Sequence, residues 1–395
     1  MVPLKQNRVI LGFDRLTIKV GSALLVDAIS GQLRQDWLNS LAADIARLKK
    51  TGMQILVVSS GAISLGRTLL GFEEKSLSLT QNQACASVGQ VALAQAWRDA
   101  LAAKKITTGQ ILLTPNITEE RRHYINARAT ILTLLELGAV PIINENDSVA
   151  TSEIRYGDND RLSARVASMI GSDCLVLLSD IDGLYTSMPN QNATLDDNNS
   201  KEAIHLPMVR SVTPEIEAMA SGTKNHLAKG GMATKLDAAK IATRSGTSMI
   251  IANGTKNHPL AALASGAKHT LFPANQSPAA ARKSWILGTL EISGSIHVDD
   301  GASLAISKGK SLLPVGVTNI SGEFDRGDAV SIIDPKNIEI ARGLVSMNQT
   351  EANKAMGKKS EAIMGMFGYM NRTELVHSDN LVSIEQVKSG EQGDE

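Results

Sequence analysis

Carboxylates and amides crowd two short stretches of this chain. Asn144-Glu145-Asn146-Asp147 closes the apolar run Val140-Pro141-Ile142-Ile143, and Gly157-Asp158-Asn159-Asp160 follows ten residues after Asp147. Acids gathered in this way hold a cation, whether an ammonium group, a lysine or Mg²⁺. Two lysine-bearing segments suit a phosphate. In Lys19-Val20-Gly21-Ser22 a lysine ends an apolar run before a glycine turn, and Lys229-Gly230-Gly231-Met232-Ala233-Thr234-Lys235 places a glycine pair at a helix start. Helix N-termini and exposed backbone N–H groups bind phosphate oxygens. Ser59-Ser60-Gly61-Ala62 forms a third turn of the same kind. Structural readings stay open beside these. Ser60 and either Asp158 or Asn159 also suit helix N-caps, and Gly230-Gly231 suits a flexible helix start.

The usual nucleotide signatures are absent. No two glycines lie two positions apart, which excludes GxGxxG, and Leu304 stands where a Walker loop ending in Gly309-Lys310-Ser311 needs its first glycine. The seven histidines share no motif spacing, so none is singled out as a catalyst.

The pattern around these residues alternates strand and helix. Arg15–Val20, Gln54–Ser59, Gln110–Thr114, Val140–Asn144, Cys174–Ser179 and Thr247–Asn253 read as strands. Trp37, Leu38, Leu41, Ile45 and Leu48 recur at helical spacing and end at Gly52. Gln83–Lys104, Arg121–Leu137 and Met232–Arg244 read as further helices. Such alternation predicts a mostly parallel sheet covered on both faces, with ligands at the strand C-termini. Small residues and Pro around Pro273–Ser284 read as a linker. Beyond it, Trp285–Ile292, Ser295–Val298, Gly316–Ile320 and Ala329–Ile333 read as the strands of a small, barrel-like β domain.

At 395 residues the chain is long enough for two domains, and its aromatic content is only 3%, so Ala, Val, Ile, Leu and Met must fill the cores. Basic and acidic residues number 40 each, so no global field attracts nucleic acid or an anionic membrane. Cys85 and Cys174 have no metal-binding or redox spacing. No secretory signal or membrane-length apolar run is visible, and a soluble, cytoplasmic protein is expected.

Ile18-Lys19-Val20-Gly21-Ser22, Ser59-Ser60-Gly61-Ala62, the two acidic motifs, Ser179-Asp180-Ile181-Asp182-Gly183-Leu184-Tyr185 and Gly230–Lys235 together resemble the glutamate kinases of the amino acid kinase family. The likeness runs from about Arg15 to beyond residue 370. Its C-terminal part, with Val298-Asp299-Asp300-Gly301-Ala302 and Phe324-Asp325-Arg326-Gly327-Asp328, looks like a PUA domain. The resemblance implies an α/β amino acid kinase fold over 1–275, a linker over 276–284, a small β-barrel-like PUA domain over 285–375 and a tail over 376–395. It implies ATP-dependent phosphorylation of the side-chain carboxylate of L-glutamate, with Mg²⁺, as the entry to proline synthesis. Carried onto this chain, Lys19 and Lys235 would clamp the transferred phosphoryl group and Asp160 would orient them. Ser60, Asp147 and Asn159 would hold glutamate, with Asp158 in support. Ser179, Asp180 and the loop Lys229, Gly230, Gly231, Met232, Ala233, Thr234, Lys235 would contact ATP, and no protein metal ligand is assigned. Family members often read Gly-Thr where Ala228-Lys229 stand here, so contact at position 229 would come from the backbone. A homo-oligomer, inhibition by proline and coupling to glutamate-5-semialdehyde dehydrogenase are also implied. Aspartate or N-acetylglutamate as substrate, and an RNA-binding role for the PUA-like domain, are the alternatives.

Overall fold

The computed structural model describes residues 9–73, 76–114, 121–149, 159–187, 203–221, 231–288, 291–366 and 373–384. Asp158, Lys229 and Gly230 fall outside them. The chain divides into two compact units, Met1–Glu119 with Asn126–Pro278, and Glu120–Ile125 with Ala279–Glu395.

The first unit opens with β1 (Arg15–Val20), α1 (Ser22–Leu25), α2 (Gln35–Lys49), β2 (Gln54–Ser59), α3 (Ala62–Leu69) and α4 (Leu79–Ala102). It continues with β3 (Thr108–Leu113), α5 (Arg121–Glu136), β4 (Val140–Glu145), α6 (Asn159–Ile170) and β5 (Cys174–Ser179). A short pair, β6 (Leu184–Tyr185) and β7 (His205–Leu206), precedes α7 (Pro214–Ser221) and α8 (Met232–Arg244). Then come β8 (Ser248–Asn253), α9 (Pro259–Ala264) and β9 (His269–Phe272).

Seven strands form one sheet in the order β3-β4-β2-β1-β5-β8-β9. Every neighbouring pair is parallel except β8 with β9. Alternate residues of the central strands feed opposite faces. Val176, Leu178 and Ile250 join the core with Ile18 and Trp37, whereas Leu175, Leu177 and Met249 join the core with Leu236 and Phe272. Burial on both faces gives these strands their continuous apolar runs. Each such side chain contributes about 1.5–3 kcal/mol of gross burial energy.

The strand order matters for function. The chain passes from β1 to β2 on one side, while β5 pairs with β1 on the other. That is a topological switch point, where the crevice outside the strand C-termini takes ligands. Lys19 lies in register with Val58 and Leu177, so the ends of β1, β2 and β5 reach one edge together.

Two contacts fix α3 and α4 against that edge. A Cβ at Gly66 would stand 1.8 Å from the Cys85 carbonyl oxygen, and one at Gly89 would stand 1.8 Å from that of Ala62. The helix backbones therefore touch, which any larger residue forbids. Trp97 of α4, fully buried, donates its indole N–H to Ser59 Oγ at 2.9 Å and anchors the end of β2.

The second unit begins with α10 (Pro278–Gly288), where the sequence reads as a linker and then a β run. Pro278 suits the first helical position, and Ala279–Leu287 contains no breaker. Ala281 and Ile286 are buried, so this segment is packed helix. There follow β10 (Ile292–Val298), α11 (Asp300–Ser307), β11 (Val317–Gly322), β12 (Ala329–Ile333), β13 (Glu339–Val345), α12 (Gln349–Ala355), α13 (Ser360–Met366) and β14 (Val376–Ser383). The sheet order is β11-β10-β12-β13-β14 around a core that includes Ile296, Val330, Ile332 and Val376. β14 corrects the expectation of a tail from residue 376. The polar His377–Asn380 conceal a strand that Val376 and Leu381–Ser383 pair onto β13.

Candidate active site

The residues expected to face phosphate meet on one carboxylate. Asp160, in the first turn of α6, is 1% exposed. Lys19 Nζ lies 2.7 Å from its Oδ1, and Lys235 Nζ lies 3.2 Å from its Oδ2. Thr234 Oγ1 donates to the same Oδ2 at 2.9 Å. β1 delivers Lys19 and the first turn of α8 delivers Thr234 and Lys235, so three distant segments converge. Gly21 keeps the space beside Lys19 open, since a Cβ there would stand 3.7 Å from Nζ.

Burial alone would raise the pKa of Asp160. The charges of Lys19 and Lys235, and hydrogen bonds from Lys19 and Thr234, outweigh it and hold the carboxyl below its ordinary value. The group is therefore an anion at neutral pH. Two ammonium groups on one carboxylate leave this trio one positive charge in excess, the arrangement that polyphosphate needs.

A second network, which includes residues expected to hold substrate, starts at the next residue back. Asn159 Nδ2 donates to Ser60 Oγ at 2.6 Å and lies 3.3 Å from Asn144 Oδ1. Asn144 Nδ2 in turn donates to Gln90 Oε1 at 2.8 Å. The turn that carries Ser60 is shaped by Gly61, whose φ of 114° begins α3. Asp147, 8% exposed, lines a cavity of about 300 Å³ with Glu145 and Gln90. The structure thus unites Ser60 with Asn159, and Lys19 and Lys235 with Asp160. Gln90 gives no signal in the sequence, because it is one polar residue among small ones in a long helix. Asn144 belongs to the acidic motif, but its link to Asn159 needs the parallel register of β4.

Ser179 and Asp180 sit together at the end of β5, with Ser179 Oγ donating to Asp180 Oδ1 at 2.9 Å. Asn253 Nδ2, at the end of β8, donates to the Asp180 carbonyl at 3.3 Å. Nearby, Tyr185 donates to Asp182 Oδ1 at 2.8 Å. Burial, that hydrogen bond and the Asp182 charge push the Tyr185 phenol up to about 12. Gly231 is the extended N-cap of α8, and no side-chain hydrogen bond caps this helix. Its first-turn N–H groups, at Met232 and Ala233, therefore gain no side-chain acceptor from the cap residue.

Among the described residues, no group of three or more His, Cys, Asp or Glu side chains is placed to hold a metal ion. No described helix is long and apolar enough to cross a membrane. Cys85 and Cys174 are free and buried.

A strand-end crevice with paired lysines splinted by one acid belongs to phosphotransfer on a parallel sheet. Consistent with that class, the amino acid kinase family model matches residues 14–253, and the PUA domain model matches 294–366. A curated glutamate 5-kinase from Rhizobium leguminosarum bv. trifolii is 55% identical over 377 residues, 95% of each chain. Glutamate 5-kinase 1 of Rhizobium meliloti is 54% identical, covering 96% of this chain and 94% of its own. The glutamate 5-kinase of Brucella anthropi is 53% identical, covering 94% and 96%. The chain belongs to the amino acid kinase family and, within it, to the glutamate 5-kinase group that these relatives define.

Proposed function

We propose that the chain transfers the terminal phosphoryl group of ATP to the side-chain carboxylate of L-glutamate, giving L-glutamyl 5-phosphate, the first step of proline biosynthesis. The observation that carries this reading is the convergence of Lys19 and Lys235 on Asp160, one residue from the Asn159–Ser60 contact.

The chemistry follows from charge. A glutamate side chain has a pKa of about 4.3, so the nucleophile is already an anion at neutral pH and needs no general base. The barrier lies in bringing it onto a polyanion. Lys19 and Lys235 lower that barrier by holding positive charge where the phosphoryl oxygens gather it in the transition state. Asp160 keeps both ammonium groups aimed at one point. Ser60, Asn159 and Asp147 hold glutamate, with Asp158 in support. Ser179, Asp180 and the segment 229–235 take the nucleotide. Transfer is direct and in line, with no phosphorylated protein intermediate.

Mg²⁺ would arrive on the nucleotide, held mainly by its phosphates as is usual for this ion. When bound, the ion neutralises phosphate charge. A cytoplasmic homo-oligomer whose unstable acyl phosphate passes to glutamate-5-semialdehyde dehydrogenase, and a kinase domain near 1–275 with an accessory PUA domain whose sheet runs on through β14, complete the proposal.

Trapping the acyl phosphate as a hydroxamate tests the reading. With ATP and Mg²⁺, glutamate should give product, while aspartate and N-acetylglutamate should give at most a few per cent of it. Preference for either alternative acid would overturn the substrate assignment.

A further inference from the structure

The amide network beside Asp160 has a direction. Gln90 turns its Oε1 to Asn144 Nδ2, Asn144 turns its Oδ1 to Asn159 Nδ2, and Asn159 Nδ2 also donates to Ser60 Oγ. Two complementary ends remain. Gln90 Nε2 is a buried donor and Asn159 Oδ1 a buried acceptor, and neither has a hydrogen-bond partner among the described residues. Buried polar groups are costly to leave unpaired, and native proteins rarely leave them so without a reason.

The cavity supplies a reason. Gln90 lines it together with Glu145 and Asp147. Those two acids suit the ammonium group of an α-amino acid but repel its α-carboxylate. A zwitterion therefore needs a donor among them, and Gln90 Nε2 is a buried donor with no hydrogen-bond partner among the described residues. Its position also fits the length of the substrate. Asn159 adjoins Asp160, where the reacting carboxylate must lie, and Gln90 stands two hydrogen bonds further away.

We infer that Gln90 recognises the α-carboxylate of the amino acid through Nε2, while its Oε1 holds the Asn144–Asn159 pair in register. The inference rests on the glutamate kinase reading above. It makes Gln90 a specificity determinant for α-amino acids.

Two variants separate recognition from positioning. Gln90→Ala removes both functions. Gln90→Glu keeps an acceptor for Asn144 but replaces the free donor with an anion. Expected for Gln90→Ala is a rise in KM for glutamate of roughly ten- to hundredfold, the worth of a hydrogen bond to a charged group. KM for ATP should stay within about twofold, since Nε2 touches no phosphate. Gln90→Glu should be impaired at least as severely. The inference is overturned if Gln90→Glu restores the wild-type KM, which would reduce Gln90 to a strut for Asn144. It is also overturned if KM for glutamate stays unchanged, or if KM for ATP rises in parallel. Melting temperatures of both variants separate a folding defect from lost recognition. Calorimetric titration of glutamate onto the full-length protein without ATP reads Gln90 independently of turnover. If wild-type protein binds glutamate and forms no hydroxamate, the kinase reading fails while the Gln90 comparison still stands or falls on the binding constants.

Discussion

Replacing Asp160 with Asn removes one charge and almost no volume. In the native structure that carboxylate is 1% exposed and meets two ammonium groups and a hydroxyl at 2.7, 3.2 and 2.9 Å. Asparagine leaves Lys19 and Lys235 side by side with no shared counter-ion. Breaking a buried ion pair from one side costs about 3–5 kcal/mol. The lower end applies here, because the lysine side chains retain 11% and 7% exposure and regain some water. A loss of about 3 kcal/mol corresponds to a fall of roughly 6–12 °C in melting temperature. The sign of the pH dependence follows from the depressed pKa. The contribution is fully present above the unfolded value, near 3.8, and disappears as pH falls through the lower folded value. Wild-type and variant urea midpoints should therefore differ at pH 7 and approach each other as pH falls below the unfolded value toward the lower folded one. Activity should fall about 10²–10³-fold in kcat, the scale of losing one electrostatic stabiliser. KM for ATP should not rise, since the added positive charge attracts phosphate. A variant that keeps wild-type kcat, or a stability difference that persists unchanged into acid, would refute the placement of Asp160 between the lysines.

Lys19→Ala and Lys235→Ala should each lower kcat by at least about 10²-fold with KM for glutamate changed less than about fivefold, as steady-state hydroxamate assays would show. The reverse pattern would reassign them to substrate binding. Gly66→Ala should destabilise by about 2–4 kcal/mol in a urea melt, because its Cβ would sit 1.8 Å from backbone and α3 must part from α4. Asp44→Ala should cost about 2–3 kcal/mol in the same assay. Asp44 is 2% exposed and accepts from the Leu260 and Ala261 amides at 3.0 Å each, so its removal strands the start of α9.

The strands bearing Lys19, Ser59 and Ser179 were legible because burial on both faces writes an unbroken apolar run, and Arg15–Val20, Gln54–Ser59 and Cys174–Ser179 match the observed bounds. Strand order was not legible, because periodicity within an element says nothing about its neighbours. Only the order β2-β1-β5 explains why residues from both sides of β1 reach one crevice. The α10 segment misled for a related reason. Alanine and proline mark linkers by composition, yet here they begin a helix whose Ile286 is fully buried by tertiary contacts. Asp158, Lys229 and Gly230 lie outside the described residues, and their roles rest on resemblance.

Asn159 and Asp160 are consecutive residues in one helical turn, and in the proposed reaction they would serve opposite halves. Asp160 faces the lysines, while Asn159 faces Ser60 and Asn144. Neither half can be repositioned without the other as long as the first turn of α6 moves as a unit. Ala164 and Ala167 of α6 share a buried cluster with Leu236 and Ala239 of α8, the helix that carries Lys235. Small residues at that contact let the two helices approach closely, which brings Lys235 within reach of Asp160. Enlarging Ala164 should therefore shift Asp160 relative to Lys235 and Asn159 relative to Ser60 at the same time. Such a change would alter kcat and KM for glutamate together, unlike any substitution of a lysine alone.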